Sequence, residues 1–174
     1  MVTIRHELAS DAPAREALLN RAFGKARRRK TSERLRESRL PSEGLAFTAA
    51  DDKGRPVGTI RLWDVIAGSA GTALLLGPLA VDCRQQNKGV GAALMARALN
   101  EARVKGHAAV ILVGDLAYYG RFGFSREAVA DLHLPGPVDR SRFLGLELVP
   151  GALDGAEGLV SACGRLASLE AAAA

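Results

Sequence analysis

Cysteine, aromatic residues and long apolar runs are all scarce in this chain, and each shortage excludes something. The two cysteines, Cys83 and Cys163, stand far apart with no CxxC or histidine-rich neighbourhood. Two reduced thiols are therefore expected, rather than a disulfide framework or a zinc site. No apolar stretch approaches the ~18–20 residues a bilayer-spanning helix needs. The opening MVTIRHELASD puts Arg5, His6 and Glu7 where a signal peptide needs its apolar core, so a cytoplasmic protein is expected. Aromatics make up only 5% of the chain and are absent from its most basic segment. That removes the stacking platforms single-stranded nucleic acid requires. What remains is 174 residues with a net charge of +5, enough for one domain with a real core and a bias toward anionic partners.

The first elements read as generic. Val2, Ile4 and Leu8 alternate with polar residues, which predicts a strand with His6 on its buried side. Ser10 and Asp11 offer an N-cap and Pro13 a first-turn residue for a helix over 12–23, patterned by Ala14, Ala17, Leu18 and Ala22. Lys25–Arg39 then carries eight Lys or Arg residues. It reads either as an anion-attracting surface or as a solvated helix over Ser32–Leu40 with Glu33 and Glu37 as intrahelical partners, and we favour the solvated helix. Leu45–Ala50 and Pro56–Ile66 flank a turn at Asp51–Arg55 and predict two antiparallel strands. Thr72–Val81 predicts a third.

The most informative stretch runs from Leu74 to Phe124. Gly77-Pro78 interrupts a strand too apolar for a comfortable edge, which predicts a bulge. Beyond it, Gln86-Asn87-Lys88-Gly89-Val90-Gly91 opens a helix whose apolar face is Val90, Leu94, Met95, Ala98, Leu99 and Ala102, ended by Gly106. Glycines at a helix N-terminus let the backbone approach a ligand and aim unpaired amides at an anion. The spacing is neither that of the P-loop nor the full GxGxxG pattern. A buried strand follows at Ala108–Val113, with Asp115 as a helix cap, then Tyr118-Tyr119.

Three ordered motifs in this stretch resemble those of the GNAT acetyltransferase superfamily. Gln86–Gly91 fits Q/R-x-x-G-x-G/A, Leu79–Asp82 resembles the end of the family's fourth strand, and Tyr119–Phe124 fits Y-x-x-x-G-F. The wording LGPLAV and YYGRFGF is similar to a bacterial subgroup of N-acetyltransferases. The resemblance implies an α/β (α+β) fold, with a mixed and mostly antiparallel sheet of about seven strands, about four flanking helices and a bulged central strand. It implies one acetyltransferase domain over residues 1–150, with 151–174 as an extension holding at most one short helix. The terminal Ala171–Ala174 reads as a frayed helix end or an added tail.

The implied cosubstrate is acetyl-CoA, without a metal. Its pyrophosphate would rest on amides of Gln86, Asn87, Lys88, Gly89, Val90, Gly91 and Ala92. Its pantetheine arm would pair with the backbone of Leu79, Ala80 and Val81. The Leu79 amide would face the thioester carbonyl. Tyr119, rather than Tyr118, matches the tyrosine that protonates the departing thiolate. A general base is not identifiable: Leu74–Val81 holds no carboxylate, and Asp64, Asp115 and His133 qualify only by residue type. Cys83 lacks an evident His partner, so direct attack by an amine is expected over a covalent intermediate. The acceptor would be a small-molecule or peptide amine, bounded by loops around Lys25–Pro41, Trp63–Gly71 and His133–Arg142, with Pro135-Gly136-Pro137 as a wall or merely a turn. Membrane and nucleic-acid partners are not expected, and homodimerisation is left open. The rival reading is a non-catalytic acyl-CoA-binding sensor that uses the basic segment to contact a partner.

Overall fold

A computed structural model describes residues 1–167; the Ala171–Ala174 run lies outside them. In chain order the elements are β1 (Thr3–His6), α1 (Ala12–Phe23), α2 (Thr31–Arg34), β2 (Ala46–Ala50), β3 (Pro56–Ala67), β4 (Thr72–Val81), α3 (Val90–Val104), β5 (Ala109–Val113), α4 (Leu116–Tyr119), β6 (Asp131–His133), β7 (Phe143–Glu147) and β8 (Glu157–Ala162). The sheet runs β1-β2-β3-β4-β5-β7, while β8 joins the far end of β3 and carries β6 on its other side. Among the described residues only β4–β5 and β6–β8 are parallel pairs. The mixed, mostly antiparallel sheet is as expected, with one strand more. None of the described helices is long and apolar enough to cross a membrane.

Both faces of the sheet are covered. The α3 stripe buries all six residues its periodicity selects, against Phe47, Ile60, Leu62, Leu74 and Leu76. On the other face Leu35, Trp63, Val65, Leu75, Ile111 and Phe143 form a second cluster. Single-face alternation along β3 and β4 cannot supply two cores, so these strands read as near-continuous apolar runs.

Several local expectations are corrected. His6 is exposed, its ring 4.9 Å from that of Phe47. Helix α1 buries Leu18 and Leu19 but leaves Ala17 and Ala22 exposed. The helix expected over Ser32–Leu40 is a single turn, Thr31–Arg34, because Arg39 leaves it to form a bridge with Leu166. Phe143–Val149 is not the final strand, and the segment after it is more than a tail with one helix. Glu157–Ala162 is a strand that pairs with β3 through Val65↔Ala162 and Ala67↔Val160. Val160 alone is buried there, so the segment carries almost no hydrophobic pattern, and pairing with a distant strand makes it one.

The bulge at Gly77-Pro78 is present. Ile60 opposes Leu79 while Leu62 opposes Leu76, so β4 spends one residue more than β3 over that interval. The extra residue flips the side-chain alternation: Leu74 and Leu76, then Leu79 and Val81, all meet the α3-side core. Beside the bulge, the buried Trp63 donates its Nε1–H to the Gly77 carbonyl at 2.6 Å. Pairing of β4 with β5 stops at Leu75↔Ile111, and the strands separate beyond it.

At the other end of the molecule, Asp11 anchors α1 to the sheet. Its carboxylate accepts from Arg5 at 2.6 and 2.9 Å, from the Leu8 amide at 2.9 Å and from the Thr48 hydroxyl at 3.1 Å. The Arg5 hydrogen bond, with help from Leu8 and Thr48, holds the Asp11 carboxyl at about 2, below its ordinary 3.8. A depressed carboxylate stabilises the fold above the unfolded-state value and loses that contribution as pH falls toward the folded value. The expected contribution is about 2 kcal/mol at neutral pH, falling by roughly half near pH 3. Urea unfolding of wild type and Asp11→Asn at pH 7 and pH 3 checks this: the gap between the two curves should narrow at the lower pH. Trp63→Phe should cost about 1–3 kcal/mol in the same assay, because it leaves a buried carbonyl without its donor.

Candidate functional site

Where β4 and β5 part, a cleft of about 1090 Å³ opens. One wall is the C-terminal half of β4. Leu79, Ala80 and Val81 pair with β3 on one edge, and among the described residues no strand covers the other edge. Main-chain donors and acceptors on that edge are thus available to an extended ligand.

The floor at one end is the turn into α3. Asn87 and Gly89 both adopt positive φ, at 60° and 78°, which Asn and Gly tolerate better than other residues. Gly89 is the N-cap, so the amides of Val90, Gly91 and Ala92 occupy the first helical turn, where no intrahelical acceptor exists. Gly91 has a second reason to lack a side chain: a Cβ there would lie 2.7 Å from the Tyr118 hydroxyl. Gln86 reaches back to the Val81 carbonyl at 3.4 Å, tying the turn to β4. Of the ten positions expected to hold a cofactor, nine line this cleft. Lys88 does not; it borders a shallower depression with Met1, Asp51 and Arg55.

The opposite wall comes from the β5–α4 junction. Asp115 caps α4 by accepting from the Ala117 amide at 2.9 Å. The two tyrosines that follow diverge, their rings edge to face at 4.9 Å. Tyr118 points its hydroxyl to the α3 turn and lies under the Arg121 guanidinium, 4.2 Å from its ring centre. Tyr119 packs inward against Phe124 and onto Gly114, where a Cβ would meet its ring at 2.3 Å. Burial, and to a lesser degree Tyr118, pushes the Tyr119 phenol up to about 12. It therefore stays protonated across the physiological range.

The rest of the cleft is formed by the basic segment, which is not a solvated helix. Arg27 and Arg36 are buried, and Arg27, Lys30, Thr31, Ser32, Glu33 and Arg36 all face the cavity. Arg27 is neutralised by Glu16 and held by Asn20. Thr31 donates to the Pro137 carbonyl and Arg34 to that of Pro135, latching the segment onto the Pro-Gly-Pro loop. That loop is a wall of the cleft rather than only a turn, through Pro137, Val138, Asp139 and Arg142. The expected third acceptor loop, Trp63–Gly71, contributes nothing to it. It is turned toward β8, where Ser69 accepts from the Glu157 amide at 3.0 Å.

Among the base candidates chosen by residue type, only Asp115 lines the cleft, while Asp64 and His133 do not. Glu33 and Asp139 do line it and were missed. Neither stands in a motif whose spacing marks it as a base. Both cysteines are exposed and neither borders the cavity.

The model of the acetyltransferase (GNAT) family matches residues 12–124, from α1 through the Tyr119–Phe124 segment. The chain is 36% identical over 158 residues to Escherichia coli (strain K12) YhbS, described as an uncharacterised N-acetyltransferase, covering 90% of this chain and 93% of that protein. The crystal structure of Escherichia coli YhbS in complex with CoA superposes with a TM-score of 0.78 at 34% identity, over 93% of this chain and 89% of that one. A GNAT family acetyltransferase from Brucella melitensis, crystallised with acetyl-CoA, gives 0.67 at 28% identity, over 94% and 96% of the two chains. With the family model matching residues 12–124 and a relative 36% identical over 90% of the chain, this chain belongs to the GNAT acetyltransferase family.

Proposed function

We propose that this N-acetyltransferase uses acetyl-CoA as its acetyl donor and transfers the acetyl group by direct attack of an amine on the thioester. The observation that carries this reading is the convergence, in one cleft, of an unpaired β4 edge, the free first-turn amides of α3 and a buried phenol. Each suits a different part of the donor. First-turn amides and the positive end of the α3 dipole suit a pyrophosphate. The edge of Leu79–Val81 suits the amide groups of pantetheine, which add to a sheet as a strand would. A free amide beside the bulge suits the oxyanion that forms as the thioester carbonyl is attacked.

Tyr119 is the proposed general acid. The amine nitrogen bonds to the thioester carbon; as the tetrahedral intermediate collapses the carbon–sulfur bond breaks and the thiolate accepts the phenolic proton, while the proton shed by the nitrogen passes to water. The thiol so formed has an ordinary value of about 8.5, below the value of about 12 reached by Tyr119, so the transfer itself runs uphill and is drawn forward by departure of the thiol. The acid is therefore never lost to ionisation at working pH. Re-protonation from solvent is favourable once the thiol departs. Tyr118 is a poorer candidate because its hydroxyl is committed to the Gly91 end of the cleft. The exposed positions of Cys83 and Cys163 support direct attack over an acetyl-cysteine intermediate.

Tyr119→Phe should lower kcat by about 10²-fold, the usual contribution of a placed general acid, with acetyl-CoA affinity within about twofold of wild type. Rapid-mix measurement of the chemical step beside calorimetric binding of acetyl-CoA checks both halves. An unchanged chemical step would remove Tyr119 from the mechanism. In the wild type, kcat should show no loss attributable to this phenol between pH 7 and 10, because its folded value lies above that range. Thiol release from acetyl-CoA across a panel of primary amines tests the transferase itself; tight acetyl-CoA binding with no turnover on any amine would favour the sensor reading.

A further inference from the structure

Arg36 has an unusual position for a cation. It is 9% exposed and lies in the wall of the cleft, yet one of its terminal nitrogens has no partner. Its Nε donates to the Ser32 carbonyl at 3.2 Å and its Nη2 to the Ser32 hydroxyl at 2.8 Å, which together fix the plane of the guanidinium. Glu33 approaches only Nη2, at 3.7 Å. Nη1 is buried and unpaired. It lies 3.7 Å from where a Cβ on Gly77 would stand, so it abuts the bulge itself.

That location separates Arg36 from the anionic end of the donor. From Gly77 to Val81 the strand spans roughly 13 Å, and the α3 turn lies beyond its far end. Arg36 is thus placed where thioester and amine would meet, and the phosphates would rest elsewhere. Buried guanidinium groups call for an anionic partner with matching planar geometry. The nearby charges leave room for one: Arg27 is already paired with Glu16, and Arg27 and Arg61 both add positive potential at Arg36.

Resting on the acetyltransferase reading above, we propose that Arg36 selects a small amine that also carries a carboxylate, an amino-acid-like acceptor whose carboxylate accepts from Nη1. The guanidinium makes no bond to the reacting atoms; it sets which amine is held beside the thioester. A neutral or purely cationic amine would leave Nη1 unsatisfied and bind less tightly.

The test uses matched pairs of amines differing only at the carboxylate: glycine and glycinamide, β-alanine and β-alaninamide, phenylalanine and phenylalaninamide. Thiol release from acetyl-CoA reads kcat/KM for each. Amidation also lowers the basicity of the amine and so leaves more of it neutral, which makes a preference for the acid the conservative result. The acids should be favoured by about 10-fold or more, the range of a charge-assisted hydrogen bond. Arg36→Gln should remove that preference by lowering the acids alone, while the KM for acetyl-CoA stays the same. Arg36→Lys should restore part of it. Calorimetric titration of the same pairs into the CoA-saturated wild-type protein reads the preference without turnover, and it stands even where Arg36→Gln fails to fold. Equal turnover and equal binding of acids and amides would overturn the assignment of Arg36 while leaving the transferase intact. So would an equal loss for both in Arg36→Gln. Absence of thiol release with every amine would instead count against the transferase reading, and the binding titration would then decide Arg36 alone.

Discussion

The one extra residue in β4 is the constraint on which the site depends. A regular ladder between β4 and β5 would consume the main-chain groups of Leu79–Val81 and leave nothing for a ligand. Inserting Gly77-Pro78 against a single residue of β3 bends the strand away after Leu75↔Ile111. The hydrogen bond from Trp63 to the Gly77 carbonyl satisfies the group that the irregularity would otherwise orphan. Fold stability and ligand access are therefore set by the same few atoms. The split in the sheet is also what gives the cleft its length, from the α3 turn at one end to Arg36 at the other.

Chemistry and packing are equally entangled around the two tyrosines. Adjacent residues on a single helical turn cannot face the same way, and here one points to the α3 turn while its neighbour is driven into the core. Gly91 and Gly114 make this possible, since a Cβ at either would occupy the space of a tyrosine. The burial that Gly114 permits also keeps the Tyr119 phenol protonated. Desolvation opposes the phenolate because charge is poorly stabilised away from water. The same burial makes the phenol a weaker donor, so its protonated state is secured at some cost in proton-donating strength.

The proposed acceptor side follows a different logic. Its residues come from the basic segment and from the Pro-Gly-Pro loop, more than a hundred positions apart, joined through Thr31, Arg34 and two proline carbonyls. A run of arginines that composition would leave in water is partly buried here, with Glu16, Asn20 and Ser32 as its partners. Burying cations requires such partners, and among the described residues of this segment Nη1 of Arg36 is buried without one, beside the bulge at Gly77.

Much of the donor half was legible in the residues themselves, because its determinants are local. Asn87 and Gly89 set backbone geometry at their own positions, α3 shows its face through a 3.6-residue period, and Gly77-Pro78 breaks a strand wherever that strand is placed. Strand β8, by contrast, has one buried residue and no pattern of its own; only β3 makes it a strand. Glu33, Arg36 and Asp139 carried no spacing signal, and the burial of Arg27 and Arg36 reversed what their charge suggested. Backbone conformation is decided by neighbours in sequence, so the sequence alone determined the glycine turn, the bulge and the long helix. Side-chain burial and long-range pairing are decided by neighbours in space, so only the tertiary structure settled which charges wall the cleft and which nitrogen among them is left without a partner.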